Sequence, residues 1–429
     1  MAKLAINGGK PTIPGGIKPG WPIYNSSEKK ALIEVLESGR WCNRGNPDGK
    51  VAQAEKAFAK FVGAKHVKAV SSGTTALELA IRACDISYGD EVIVPAVTFL
   101  ATATSVITSG AVPVFVDIDP ETYQISPAAI EAALTERTKA ILPVHYGGYP
   151  ADMDRIMEIA RKHELFVIED CAEAHGTQWR EKSVGAFGDF GCFSFQMAKT
   201  LTCGEGGAIT YNDETFDINC FLLSRQPENS NGETTHFLPA GNWRMSEFAG
   251  AILLAQLSRL EKQVEARHEN AEYFTQELQE IEGLSSLKRD PRITRIGYFF
   301  LLSKYDASRW NDIPRDRFIE ALKAEGVQCG TAHNDPQYLN PLFQQIKSAY
   351  LTVPGTDYST VHCPEAERIY ETEVVAMPNY TLMTKENVGN VLSAIQKLRD
   401  NIDELESHQS QPKNNGSRGL KSTLQRLLR

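Results

Sequence analysis

Residues 190–211 read FGCFSFQMAKTLTCGEGGAITY. Two short apolar runs, 190–195 and 208–211, flank a loop with one lysine, Lys199, and a glycine-rich turn, Gly204-Glu205-Gly206-Gly207. Strand alternation puts Phe193 and Phe195 on one face and Ser194 on the other. A lysine amid uncharged neighbours suits a Schiff-base nucleophile, because desolvation favours the free amine over the ammonium. Glycines let the backbone approach a planar ligand closely. The same pattern also fits a surface hairpin with one snorkelling lysine, so the flanking chain has to decide.

Towards the N-terminus the pattern becomes regular. Strands are expected at 67–71, 91–94, 112–117, 140–145 and 165–169. Helices are expected between them at 74–84, 100–108, 127–134 and 152–163. Leu77, Ala80, Ile81 and Cys84 follow the i, i+3, i+4, i+7 spacing of one helix face. Alternating elements of this length mean an α/β domain with a mostly parallel sheet covered on both faces. We place this large domain at 40–259, with a helix at 51–62 before its first strand. Residues 1–39 form an arm rich in Gly and Pro and a helix from Ser26 or Ser27 to Ser38, stopped by Gly39. From Met245 a long helix, striped by Leu253, Leu257, Leu260 and Val264, runs to about Ile281. It bridges to a smaller α+β C-terminal domain at 260–405. There, strands are expected at 298–302 and 374–377, and helices at 315–325 and 385–405. Residues 406–429 shift to a flexible basic tail. Its last ten residues space Leu420, Leu424, Leu427 and Leu428 helically, as a small amphipathic tag or a frayed end would.

Composition bounds the function. The chain has 429 residues, 42% hydrophobic and 23% charged, which is ordinary for a soluble protein of two or three units. A net charge of −9 argues against a nucleic-acid partner. The eight cysteines form no C-x-x-C pair, so neither a zinc knuckle nor a disulfide framework is signalled. They read as reduced thiols of a cytoplasmic enzyme, and the opening MAKLAINGGKP lacks the apolar core of a secretory signal. Residues 92–116 run 25 positions without a charge, long enough to span a bilayer. Pro95, Gly110 and Pro113 break them into strand, loop, helix and strand.

Three further motifs bear on chemistry. Ser71-Ser72-Gly73-Thr74-Thr75 follows a strand and opens a helix, where free N–H groups and the helix dipole bind phosphate. Ser72 or Thr74 there also suits a plain N-cap. Asp170 ends the apolar run FVIED at 166–170, at the strand end where open α/β sheets bind ligands. It suits a protonated ring nitrogen, or equally the cap of the next turn. Phe99 follows another strand end and suits stacking on a planar ring, or core packing. A phosphate turn, an aromatic plate, a carboxylate and a lysine nucleophile together match the needs of pyridoxal 5'-phosphate. No metal is expected. Asp117-x-Asp119 reads as a strand end and turn, and His145 and His175 are not at metal spacing.

With these motifs in order, the chain resembles the DegT family of pyridoxal-phosphate sugar aminotransferases, within the aspartate-aminotransferase-like fold, fold type I. The pieces that carry the resemblance are SSGTTAL at 71–77, VIVPAVTFLAT at 92–102, FVDIDPETY at 115–123, PVHYGG at 143–148, VIEDCAEAHG at 167–176, FGDFGCFSFQMAK at 187–199, GEGGAI at 204–209 and GNWRMSEFAGA at 241–251. The resemblance spans about 4–403. It implies that Lys199 is the Schiff-base lysine and Asp170 the partner of the pyridine nitrogen. It implies phosphate ligands at Gly73, Thr74 and Ser194 with Ser72 beside them in the cofactor-binding set, a stacking ring at Phe99, and a phosphate ligand at Asn242 supplied across a homodimer with shared active sites. Arg244 suits the donor's carboxylate. Gln196 stands where many members carry His, and Glu173 where many carry Gln. Both positions lie near the ring hydroxyl or substrate in the family. The implied reaction moves an amino group from L-glutamate or L-glutamine to a keto-sugar or keto-cyclitol. SFQ before Lys199, LAINGGKP at 4–11 and CPEAERIYETEVVAMP at 363–378 resemble the branch acting on keto-cyclitols and aminohydroxybenzoate. Rivals are a lyase of the aminohydroxybenzoate synthase type, a dehydratase with His in place of the lysine, and a non-catalytic sensor. The presence of Lys199 argues against the last two.

Overall fold

The structure, a computed structural model, describes residues 3–43, 46–225, 239–333, 335–344 and 356–406. The expected basic tail beyond 406 and residues 226–238 lie outside these residues.

Local signals start and stop the first helices. Asn25 and Glu28 form a reciprocal capping box for α1 (Ser26–Ser38), and Gly39 closes it in the left-handed conformation. Helix α2 (Lys50–Val62) ends at Gly63 in the same way. The alternating section then gives β1 (His66–Val70), α3 (Gly73–Ala83), β2 (Glu91–Pro95), α4 (Leu100–Thr108), β3 (Val112–Val116), α5 (Pro127–Ala132), β4 (Thr138–Ile141), α6 (Met153–His163) and β5 (Phe166–Asp170). After the short hairpin β6 (Gln178–Trp179) and β7 (Lys182–Ser183) come β8 (Phe190–Ser194), β9 (Gly207–Tyr211) and α7 (Asp217–Arg225).

One seven-stranded sheet runs in the order β1-β9-β8-β5-β4-β2-β3. Strands β8, β5, β4, β2 and β3 pair in parallel, and β9 runs antiparallel between β8 and β1. The chain is therefore the mostly parallel α/β fold read from the alternation. Strand β2 is buried along its whole length, as a sheet covered on both faces requires. The strand expected at 140–145 stops at Ile141. Pro143 has no N–H for a ladder, and its carbonyl instead accepts the Asp170 N–H at 2.8 Å.

The long helix α8 (Glu247–Leu278) packs on α1 and α2. Buried Glu28 of α1 accepts Gln256 Nε2 at 3.0 Å and pairs with Arg259. Beyond it come β10 (Leu284–Ser286), β11 (Ile293–Arg295), β12 (Phe300–Tyr305), α9 (Arg315–Ala324), α10 (Pro341–Gln344), α11 (Pro364–Arg368), β13 (Val374–Pro378), α12 (Lys385–Asp400) and α13 (Ile402–Glu406). Strands β10, β12 and β13 form an antiparallel three-stranded sheet. The strand expected at 298–302 begins at Phe300, because Tyr298 turns out of extended geometry at φ +49°. The helix expected over 385–405 is broken at Asn401. The N-terminal arm docks on this half of the chain. Buried Glu325 accepts Ala5 N and Thr12 N, both at 2.8 Å, and pairs with Lys397.

Candidate active site

The carboxyl ends of β1, β2 and β5 and the β8–β9 hairpin bring the sequence motifs together. Asp170 closes β5 and is 5% exposed. Thr102 Oγ1 donates to its Oδ2 at 2.8 Å and the Ala172 N–H to its Oδ1 at 3.1 Å. Thr98 extends this chain, 2.7 Å from Thr102. Burial, foremost, pushes the Asp170 carboxyl above the usual carboxylate range, against the pull of those hydrogen bonds and of Lys199. An anion so placed gains from a protonated ring nitrogen as partner.

Lys199 leaves the turn after β8, its N–H bonded to Gln196 O at 2.9 Å. Its side chain is 14% exposed, with Nζ 3.3 Å from Glu173 Oε1. The ring of Phe299 lies on the ammonium, 4.2 Å from Nζ to the centroid.

Ser72 is the N-cap of α3, sharing reciprocal bonds with Thr75 at 3.0 and 3.1 Å. The plain-cap reading of its side chain is thus realised. Gly73 and Thr74 supply the first two helical N–H groups, which have no intrahelical acceptor. A Cβ on Gly73 would stand 2.7 Å from Ser194 Cβ and 3.1 Å from its hydroxyl. A Cβ on Gly207 would meet Ser72 O at 2.3 Å. Glycine at both positions lets α3, Ser194 and the returning strand close into one cradle of N–H and O–H donors.

Other expected residues sit at the rim. Phe99 is 60% exposed, its centroid 6.0 Å from that of His333. Gln196 is exposed and its Oε1 accepts the Ala198 N–H at 2.8 Å. Asn242 is exposed, and Arg244 half-buried, in a segment whose Trp243 carbonyl accepts the Ser71 N–H at 2.8 Å. That segment therefore lies beside its own chain's Ser71–Thr75 turn.

His145, Glu169 and Cys171 come close enough to suggest a metal site, yet the ring nitrogens of His145 and the carboxylate of Glu169 are committed elsewhere. His145 Nδ1 accepts Ala151 N at 3.1 Å, which leaves the proton on Nε2 to bond Glu169 at 3.1 Å. Glu169 also takes the N–H groups of Gly185, Phe187 and Gly188. His175 lies buried against Phe193 and Phe195. Burial first, then the fields of Lys199 and Arg267, push its imidazole down to about 3 and keep it neutral. Asp117 accepts the N–H groups of Glu365 and Ala366, and Asp119 caps its own turn. Both bear out the strand-end reading.

Sequence reasoning missed Thr102, Phe299 and His333, whose Nδ1 lies 3.0 Å from the Tyr146 hydroxyl. Thr102, in the first turn of the helix that follows β2, was a usable signal, since a hydroxyl there sits at the carboxyl end of the sheet. So was the pair Gly147-Gly148, both at positive φ, where Phe299 N bonds Gly147 O at 2.8 Å.

A model of the DegT/DnrJ/EryC1/StrS aminotransferase family matches residues 22–396. The chain belongs to that family. This aminotransferase is 36% identical over 422 residues to the L-glutamine:scyllo-inosose aminotransferase of Streptomyces griseus, covering 94% of this chain and 99% of that one. It is 39% identical over 333 residues to the GDP-perosamine synthase of Caulobacter vibrioides, covering 77% of this chain and 88% of that one. Among solved structures, 3-amino-5-hydroxybenzoic acid (AHBA) synthase superposes with a TM-score of 0.81 at 30% identity, over 92% of this chain and 100% of that one. The aminotransferase has the fold type I architecture expected from the resemblance. Among the described residues, no helix is long and apolar enough to cross a membrane.

Proposed function

We propose that this aminotransferase binds pyridoxal 5'-phosphate and moves an amino group from L-glutamine or L-glutamate to a keto-cyclitol or keto-sugar. The work belongs to aminocyclitol, amino-sugar or surface-polysaccharide biosynthesis in the cytoplasm. One observation carries the reading: Lys199, Asp170 and the Gly73–Ser194 cradle converge at the carboxyl ends of the central strands. They fit the cofactor. The cradle offers N–H and O–H donors to a phosphate, buried Asp170 offers a carboxylate to the ring N–H, and Phe99 offers an aromatic face. When bound, the cofactor supplies an electron-withdrawing ring that accepts the electron pair released at the donor's α-carbon.

The chain's own residues do the rest. Asp170, braced by Thr102 and Ala172, holds the ring's N–H and with it the positive charge. Lys199 Nζ, once free, would carry the proton from the donor's α-carbon to the cofactor side within the donor half, and in the acceptor half would carry a proton the opposite way to the carbon that takes the amine. Phe299 and the buried floor around His175 exclude water from that amine. Arg244 has the fork to orient the donor's carboxylate. The division at 259/260 into large and small domains is part of the proposal.

We also place the enzyme in a homodimer. Ile33 and Leu36 are half-exposed on one face of α1, and the Trp41 ring beside them lies tilted against Phe248, centroids 5.8 Å apart. Such a contiguous apolar strip fits a second copy. The relatives named for cyclitol transfer favour a cyclitol acceptor, and the likeness to AHBA synthase keeps a synthase reading in play. An acceptor screen with glutamine and glutamate, read by mass, decides between them. Aminated cyclitol or sugar formed only when a donor is present is the expected result. Turnover of an aminohydroxybenzoate precursor without any donor overturns it.

A further inference from the structure

Two carboxylates lie within the field of the Lys199 amine. Asp170 is one. The other, Glu173, stands in the turn after β5 and is 5% exposed. The Gly147 N–H donates to its Oε2 at 2.9 Å and fixes the carboxylate in place. Its other oxygen, Oε1, faces Lys199 Nζ at 3.3 Å. The Phe299 ring covers the ammonium, and Phe299 is held by its own N–H on Gly147 O at 2.8 Å. One turn therefore anchors both the carboxylate and the aromatic face. That turn tolerates no side chain. Gly148 is at φ +91°, and a Cβ there would meet Tyr298 N at 2.8 Å, Phe299 N at 2.9 Å and Glu173 O at 3.0 Å. The Lys199 amine thus has a built berth of one carboxylate and one ring face.

We propose that Glu173 is the proton partner of Lys199, holding its ε-ammonium whenever the lysine is not covalently engaged and exchanging a proton with it. The exchange balances with no third reactant. One N–H bond of Lys199 breaks, one O–H bond of Glu173 forms, and an ammonium–carboxylate pair becomes an amine–carboxylic acid pair with no change in oxidation state. Lys199 needs such an outlet, because an ammonium can neither attack a carbonyl nor take a proton. A nearly buried pair suits the task. Water no longer strongly favours the charged forms there, so the ionic and neutral pairs come closer in energy. A carboxamide in the same place would keep the Gly147 bond but could not accept the proton. Asp170, His175, Tyr146, His333 and Tyr370 are the other titratable groups whose fields reach this pair.

This inference rests on Lys199 being the reactive amine. Borohydride reduction of the loaded enzyme and peptide mapping test that premise separately. The inference itself is tested in cofactor-free protein with E173Q and E173D. Competitive acetylation at neutral pH is read by mass for Lys199 against exposed Lys29. Losing the carboxylate removes the charge that holds the ammonium, so E173Q should label Lys199 about three- to tenfold faster. E173D, which keeps a carboxylate, should stay near the parent. In loaded enzyme, washout of α-deuterium from labelled glutamate should fall about 10²-fold in E173Q and much less in E173D. Unchanged labelling in E173Q overturns the proposal. Equal acceleration in both variants also overturns it and leaves Glu173 a packing role. An adduct on another lysine would sink the premise instead.

Discussion

Asp170 carries the clearest conflict between burial and charge. In cofactor-free protein its carboxyl is buried, and that burial holds it above the usual carboxylate range. The folded state therefore keeps this proton to higher pH than the unfolded chain does. The contribution to stability is full below about pH 3.9, the ordinary Asp value, and is lost as pH rises through the raised folded value. Asp170→Asn removes that loss at little packing cost. The Thr98–Thr102 hydroxyls, 2.7 Å apart, can turn to accept from the new amide. Cofactor-free D170N should thus melt above the parent at pH 7, with the gap closing towards pH 4. Adding pyridoxal phosphate should reverse the order, because the parent carboxylate then gains a cationic partner. The half-reaction with glutamate should fall roughly 10²-fold or more in D170N while the cofactor stays bound. A D170N protein that melts lower at neutral pH, or keeps its rate, would remove Asp170 from the assigned role.

At the scale of elements, the cradle between β1, α3 and β8 depends on the side chains missing at Gly73 and Gly207. Gly73→Ala would place a Cβ 2.7 Å from Ser194 Cβ, and backbone has to shift to relieve it. Overpacking of this kind costs about 1–3 kcal/mol. The shift would part the Gly73 and Thr74 N–H groups from the Ser194 hydroxyl. Pyridoxal-phosphate affinity in G73A should fall at least about tenfold, a loss of about 1.4 kcal/mol, whereas pyridoxal without phosphate should bind much as before. Equal losses for both ligands would mean that the phosphate is not read here. This cradle was legible in sequence because its parts are local: a cap, two helical N–H groups and a serine before a lysine. Lys199 and Asp170 were legible for the same reason, each sitting at the end of a recognisable strand. Glu173 was named from sequence, but its partner was not. The Glu173–Lys199 contact depends on how two loops meet across β5 and β8. Phe299 and His333 were invisible because the fold delivers them from beyond α8, more than a hundred residues from Asp170. The end of β4 was misjudged for a different reason. Apolar residues continue to Val144, but Pro143 removes a ladder donor that hydrophobicity does not register.

At the scale of the whole molecule, the open matter is whose site Asn242 and Arg244 serve. The structure gives the own-chain reading a claim, since the Ser71 N–H bonds the Trp243 carbonyl of the same chain at 2.8 Å. The shared-site reading has a claim as well. Asn242 is exposed on that segment, and Ile33, Leu36 and Trp41 are exposed apolar side chains that a second copy would cover. Mixing separates the two. Lys199→Ala chains and Asn242→Ala/Arg244→Ala chains should each be nearly inactive alone. Co-refolded in equal amounts, random two-fold pairing makes about half of the dimers mixed. If each site draws Lys199 from one copy and Asn242 from the other, a mixed dimer gathers both lesions in one site and leaves the second intact. Activity should then return to about a quarter of the parent value. If all these residues act within one chain, every site keeps a lesion and no activity returns. Sedimentation of the mixture, checked alongside, tells a failure to exchange chains from a failure to complement.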